Sequence, residues 1–151
     1  KHKEKGILPV TDERMTRFNI TLKEGADFVL QCLDKMWGGE LFVPKIPSYR
    51  IIDVAKAIAP ECKHKIIGIR PGEKVHEEMI TTSDSMNTIE FEDYFVIVPA
   101  IRSWDKAKFI DQSNGKKGKQ CEDGFSYNSA TNNHFLSVQE LKQMISENIS
   151  L

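Results

Sequence analysis

Arg70-Pro71-Gly72-Glu73-Lys74 places a guanidinium and a carboxylate three residues apart around a Pro-Gly pair. Pro71 fixes φ and Gly72 permits a tight turn, so both charged groups stand on a rigid corner. A guanidinium forks onto a phosphate through two charge-assisted hydrogen bonds. A carboxylate accepts from ribose hydroxyls. The pair suits a nucleotide sugar, although an ordinary surface turn uses the same residues. Ahead of the corner runs Lys65-Ile66-Ile67-Gly68-Ile69, an apolar β-branched stretch that predicts a buried strand. Open α/β sheets bind ligands at the carboxyl ends of their strands.

Two further segments carry binding groups. Thr11-Asp12-Glu13-Arg14-Met15-Thr16-Arg17-Phe18 gathers hydroxyls and two arginines ahead of a helix N-terminus, where anions are favoured. Asn128-Ser129-Ala130-Thr131-Asn132-Asn133 is rich in amides and hydroxyls that suit sugar hydroxyls or uracil. Plain polar loops account for both segments equally well on pattern alone. No self-contained catalytic constellation is present: no G-x-S-x-G, no H-E-x-x-H, no glycine-rich dinucleotide fingerprint and no P-loop. His2, His64, His76 and His134 lie in dissimilar contexts, and His76-Glu77-Glu78 reads as a solvated helix face rather than an acid/base cluster. Cys32, Cys62 and Cys121 are widely spaced without a CxxC, which predicts reduced thiols and no metal site.

The elements that must position these groups follow from periodicity. Thr21 and Glu24 form a capping-box pair, and Ala26, Val29, Leu30, Leu33, Met36 and Trp37 trace one helical face that Gly38-Gly39 ends. A strand at Leu41-Phe42-Val43 stops at Pro44. A second helix runs from Ile51 to Ala59, closed by Pro60, with Ile52 where a capping Ser, Thr or Asp is expected. Val75 to Ile80 predicts a short helix, and Tyr94 to Val98 is the strongest strand signal. Ala100 to Ser126 shows no clear period and reads as a flexible loop, with Asn114 to Lys119 its exposed, mobile part. Ser137 and Glu140 cap a last helix, with Leu136 and Leu141 as its hydrophobic staple. The class is α/β, with too few elements and loops too long to complete a sheet alone.

Length and composition exclude several classes. The 151 residues make about one domain, and the formal net charge of −1 argues against a nucleic-acid binder. No apolar run approaches a membrane span and no signal peptide is visible, which predicts a cytoplasmic location. The sequence opens on Lys1, not Met, and reads as a segment of something longer.

Pro9-Val10-Thr11-Asp12 with Met15-Thr16-Arg17-Phe18, then Phe42 to Ser48, then Ile67 to Lys74 with His76-Glu77, together resemble the inverting UDP-N-acetylglucosamine 4,6-dehydratases. Glu90 to Phe95 and Tyr127 to Leu136 also fit, so the resemblance runs from about Ile7 to Ile145. These are NADP-dependent lyases of the extended short-chain dehydrogenase/reductase superfamily that begin pseudaminic acid synthesis for flagellin glycosylation. The resemblance implies a Rossmann-type enzyme of which residues 1–151 are the C-terminal, UDP-sugar-binding portion. The NADP-binding half and the catalytic Asp, Lys and Tyr would lie in a missing N-terminal half, so the chain alone is expected to be inactive. In the implied reaction C4 of the sugar is oxidised by hydride transfer to NADP⁺, water is lost across C5–C6, the hydride returns at C6 and C5 is inverted. Carried over by position, Thr11, Arg70 and Asn133 contact UDP-N-acetylglucosamine, while Arg17 and Glu73 either contact it or brace the site. A homo-oligomer is also implied. The competing readings are a related dehydratase or epimerase of capsule or O-antigen synthesis, and a catalytically inactive UDP-sugar-binding remnant.

Overall fold

The computed structural model describes residues 6–112 and 117–148. These form ten short strands and four α-helices, a mixed α/β arrangement as expected. The chain divides into two compact units, one of residues 1–19, 47–77 and 128–151, the other of residues 20–46 and 78–127. No helix among the described residues is long and apolar enough to cross a membrane.

The first unit holds β1 (Ile7–Val10), β2 (Thr16–Phe18), β4 (Ser48–Arg50), α2 (Ile51–Ile58), β5 (Lys63–Ile66) and α4 (Val138–Asn148). β1 and β5 pair in parallel, Ile7 opposite Lys63 and Val10 opposite Ile66. β2 and β4 pair antiparallel, Thr16 opposite Arg50. The core lies between α2 and α4, where Ala57, Leu136 and Leu141 are buried among Tyr49, Val54, Val138, Met144 and Ile145. Burying each large apolar side chain there stabilises the unit by about 1.5–3 kcal/mol. The Ser137–Glu140 capping box forms, with Ser137 N donating to Glu140 Oε2 at 2.8 Å and Glu140 N to Ser137 Oγ at 3.3 Å.

Three expectations are corrected in this unit. The cap of α2 is Arg50, not Ile52, and no side chain bonds there. A backbone group replaces it: Ile51 N donates to Met15 O at 3.0 Å. The apolar run expected to be a buried strand pairs only as far as Ile66, and Ile66, Ile67 and Ile69 are exposed. Among the described residues the β1–β5 ladder has only these two strands, so it lacks the broad, doubly covered sheet that buries such a run. Finally, Val75 to Glu77 is loop rather than helix, because its carbonyls and ring are claimed by distant side chains described below.

The second unit holds α1 (Leu22–Lys35), β3 (Leu41–Pro44), β6 (Glu78–Ile80), a 3-10 helix (Thr82–Asn87), β7 (Thr88–Glu90), β8 (Tyr94–Ile97), α3 (Lys106–Gln112) and β9 (Lys119–Gln120); β10 is Tyr127–Asn128. Strands β3, β8, β7 and β9 form one sheet in that order. Ile89, Phe91, Tyr94, Val96, Val98 and Phe109 are its core. The capping box of α1 is complete at Thr21 and Glu24. Its apolar face is nevertheless exposed, with Val29, Leu30 and Leu33 open to solvent. The stretch without sequence period contains α3, whose first turn is capped when Asp105 Oδ1 accepts from Lys108 N at 2.9 Å. Of the loop expected at 114–119, residues 114–116 lie outside the described residues.

Candidate functional site

The parallel ladder of the first unit continues past the strand ends. Ile67 N donates to Val10 O at 3.0 Å and Gly68 N to Thr11 O at 3.1 Å. Thr11 and the Gly68–Arg70 segment therefore leave the carboxyl ends of β1 and β5 side by side, which is where open α/β sheets receive ligands. Gly68 turns the chain there with φ +88°.

The Arg-Pro-Gly-Glu corner is a closed turn. Glu73 N donates to Arg70 O at 3.1 Å, and Gly72 sits at φ +84°, the conformation a Pro-Gly turn requires of its third residue. Glu73 turns its carboxylate back onto the corner, accepting from Arg70 N at 2.9 Å. Its other oxygen lies 3.9 Å from Arg70 Nε, a loose pair on a side chain that is 70% exposed. Glu73 thus braces the corner, and Arg70 extends its guanidinium into solvent.

Arg17, on β2, is committed elsewhere. Its Nη1 donates to Thr16 O at 2.6 Å and Val75 O at 3.2 Å, its Nη2 to Lys74 O at 2.9 Å, and its Nε lies 3.4 Å from Glu77 Oε1. All arms of the guanidinium strap the 74–77 segment onto β2. Arg14 is likewise engaged: Asp12 accepts from its N at 2.8 Å, its Nε at 2.9 Å and its Nη2 at 2.8 Å. These bonds hold the Asp12 carboxyl at about 2, below the ordinary carboxylate range. Both guanidinia hold the protein's own oxygens.

The amide-rich segment is pinned to β4. Ser48 N donates to His134 O and Leu136 N to Ser48 O, each at 2.8 Å. Asn132 Nδ2 donates to Ser48 Oγ at 3.0 Å and to His134 O at 3.2 Å. Asn133, next in line, is exposed. No described hydrogen bond or ion pair joins it to Thr11 or Arg70.

Between these pieces lies a polar cluster that the sequence did not reveal. Thr16 Oγ1 is 2.8 Å from His76 Nδ1 and 2.7 Å from Ser129 Oγ. Ser129 Oγ accepts from Glu77 N at 2.9 Å, and Ser129 N donates to Glu77 O at 2.8 Å. Thr16 and Ser129 are buried and His76 half-buried. Their separations of 60 and 113 residues leave no local signal. Thr16 and Ser129 lie inside two of the binding segments and His76 two residues beyond the third, which was the only hint. The cluster ties β2, the 74–77 segment and the 128–134 segment into one scaffold. Among the described residues, no three His, Cys, Asp or Glu are grouped to hold a metal.

Residues 1–99 match the family model for polysaccharide biosynthesis proteins. The chain is 52% identical over 139 residues to UDP-N-acetylglucosamine 4,6-dehydratase (inverting) of Campylobacter jejuni, covering 91% of this chain and 42% of that protein. It is 30% identical over 147 residues to UDP-glucose 4-epimerase of Rickettsia conorii, covering 95% of this chain and 42% of the relative. The X-ray structure of Pen from Bacillus thuringiensis superposes with a TM-score of 0.74 at 27% identity, over 96% of this chain and 42% of that one. The chain thus spans less than half the length of the proteins it matches.

Proposed function

This chain belongs to the polysaccharide biosynthesis protein family, and we propose that it grips the nucleotide sugar of an inverting UDP-N-acetylglucosamine 4,6-dehydratase. The observation that carries the reading is the exposed Arg70 guanidinium on a self-braced corner at the carboxyl end of a parallel strand pair. Arg70 forks onto the diphosphate. Thr11, leaving the neighbouring strand, and Asn133 offer hydrogen bonds to the remaining oxygens. Arg17 and Glu73 keep the corner and the 74–77 segment in place without touching the ligand. Two charge-assisted bonds from Arg70 to a diphosphate, partly screened by solvent, are worth about 1.5–3 kcal/mol together, roughly 10- to 150-fold in affinity. The dehydratase reading is favoured over the epimerase by 52% against 30% identity.

The proposed enzyme is a lyase that uses NADP, which supplies hydride acceptance and return when bound. A dinucleotide cradle needs a glycine-rich turn between a strand and a helix. Here β1 runs into Asp12, whose carboxylate is locked onto Arg14, and β5 runs into the Arg70 corner with no helix after it. The described residues do not fit the cofactor, so its binding and the redox chemistry are assigned to residues outside this chain. What this chain does is bind and orient: Arg70 fixes the diphosphate, and the scaffold sets where the sugar lies. Service in pseudaminic acid synthesis and flagellin glycosylation, and a homo-oligomeric assembly, complete the proposal.

Incubating the whole protein with UDP-N-acetylglucosamine and weighing the sugar nucleotide tests the reaction. The dehydratase gives a product lighter by one water. A product of unchanged mass with an altered ring configuration would make it an epimerase instead, and no change would leave a binding protein.

A further inference from the structure

The Thr16–His76–Ser129 cluster fixes more than backbone position. Ser129 Oγ has two hydrogen-bond partners, Glu77 N at 2.9 Å and Thr16 Oγ1 at 2.7 Å. The first is a donor, so the buried Ser129 hydroxyl proton has Thr16 Oγ1 as its acceptor. Thr16 Oγ1 therefore directs its own proton to its other partner, His76 Nδ1, at 2.8 Å. In the opposite direction, with a proton on Nδ1 donated to Thr16, one of the two buried hydroxyl protons, that of Thr16 or that of Ser129, would be left without an acceptor. The chain of protons has one sense, and it ends at Nδ1.

The neutral ring then carries its proton on Nε2. Nε2 is not one of the buried, unpartnered atoms; among the described residues His64 Nε2 is the one of that kind. His76 is half-buried and stands two residues beyond the Arg-Pro-Gly-Glu-Lys corner. We infer that His76 is a positioned hydrogen-bond donor of the nucleotide-sugar site, its Nε2–H set by the Ser129–Thr16 relay to meet a substrate oxygen. This rests on the binding reading proposed above and adds to it a residue that recognises an acceptor and rejects a donor.

Long-range proton–nitrogen NMR of the imidazole in the 151-residue chain, at a pH of about 8 where free histidine is neutral, reads the tautomer directly. The expected spectrum has an unprotonated Nδ1 and a protonated Nε2. Ser129→Ala should allow Thr16 to accept and mix the two tautomers. A protonated Nδ1 in the unaltered chain overturns the inference. Adding UDP-N-acetylglucosamine should then move the His76 Nε2 and Arg70 guanidinium resonances together. Arg70 moving while His76 stays still overturns this inference and leaves the proposed function standing. If neither moves, both fall.

Discussion

Replacing Arg17 with methionine keeps most of the side-chain volume and deletes the strap. The structure sets the cost. Arg17 serves three carbonyls, Thr16 O at 2.6 Å, Lys74 O at 2.9 Å and Val75 O at 3.2 Å. Val75 O keeps a second donor, Thr16 N at 3.0 Å, so its loss is small. The other two lose charge-assisted bonds in a region where the Arg17 side chain is only 21% exposed. At about 1–1.5 kcal/mol for each, discounted for partial exposure, the variant loses ~2–3 kcal/mol. With a urea slope of about 1.5 kcal/mol/M, the midpoint falls by roughly 1.3–2 M. Circular dichroism gives the midpoint, and amide exchange at Thr16 gives a local readout, because that N–H is held by the segment the strap secures. Arg17→Lys should recover little, since an ammonium does not span three carbonyls in a fixed plane. A midpoint within about 0.3 M of the unaltered protein, with Thr16 exchange unchanged, would refute the bracing role; shifts of this size are the smallest the slope resolves well.

Other substitutions separate packing, charge and reactivity. Gly118→Ala places a Cβ 2.7 Å from Ile89 Cγ2 and 2.8 Å from the Phe91 ring, and should cost about 1–3 kcal/mol by overpacking, read as a fall of roughly 3–10 °C in Tm. Asp12 is held at about 2 by Arg14, so its contribution is complete above the ordinary carboxyl value and is lost as pH falls toward 2. Asp12→Asn should therefore lower stability at neutral pH and flatten that part of the acid-unfolding curve. Burial and the neighbouring Glu90 push the Cys121 thiol up to about 11, so thiol reagents should label it slowly at neutral pH until the protein unfolds.

Local chemistry was legible in the sequence and distant chemistry was not. Thr21 with Glu24 and Ser137 with Glu140 announce helix starts because both partners of each box lie within one turn. The β8 strand is legible because it is an unbroken apolar run, with Tyr94, Phe95 and Val96 buried and Ile97 half-buried. The helix expected at Val75 to Ile80 fails because Arg17 and Thr16, about 60 residues upstream, take the groups that would have built it. Helix α3 carries only a short signal within a stretch without period: Asp105 caps it, and Phe109 supplies its buried face. Of the proposed site, the exposure of Arg70 could be read from the Pro-Gly corner that presents it. The division of labour between Arg70 and Arg17 could not, since both are arginines beside polar segments and only the fold shows which guanidinium meets backbone carbonyls.

The central claim is that Arg70 meets the diphosphate of a UDP-sugar. Calorimetric titration of UDP into the chain and into its Arg70→Ala variant tests it most directly. The account predicts binding that weakens roughly 10- to 150-fold in the variant, with an unfolding midpoint that barely moves because the side chain is 70% exposed. Equal affinity in both proteins, with the fold intact, would contradict it.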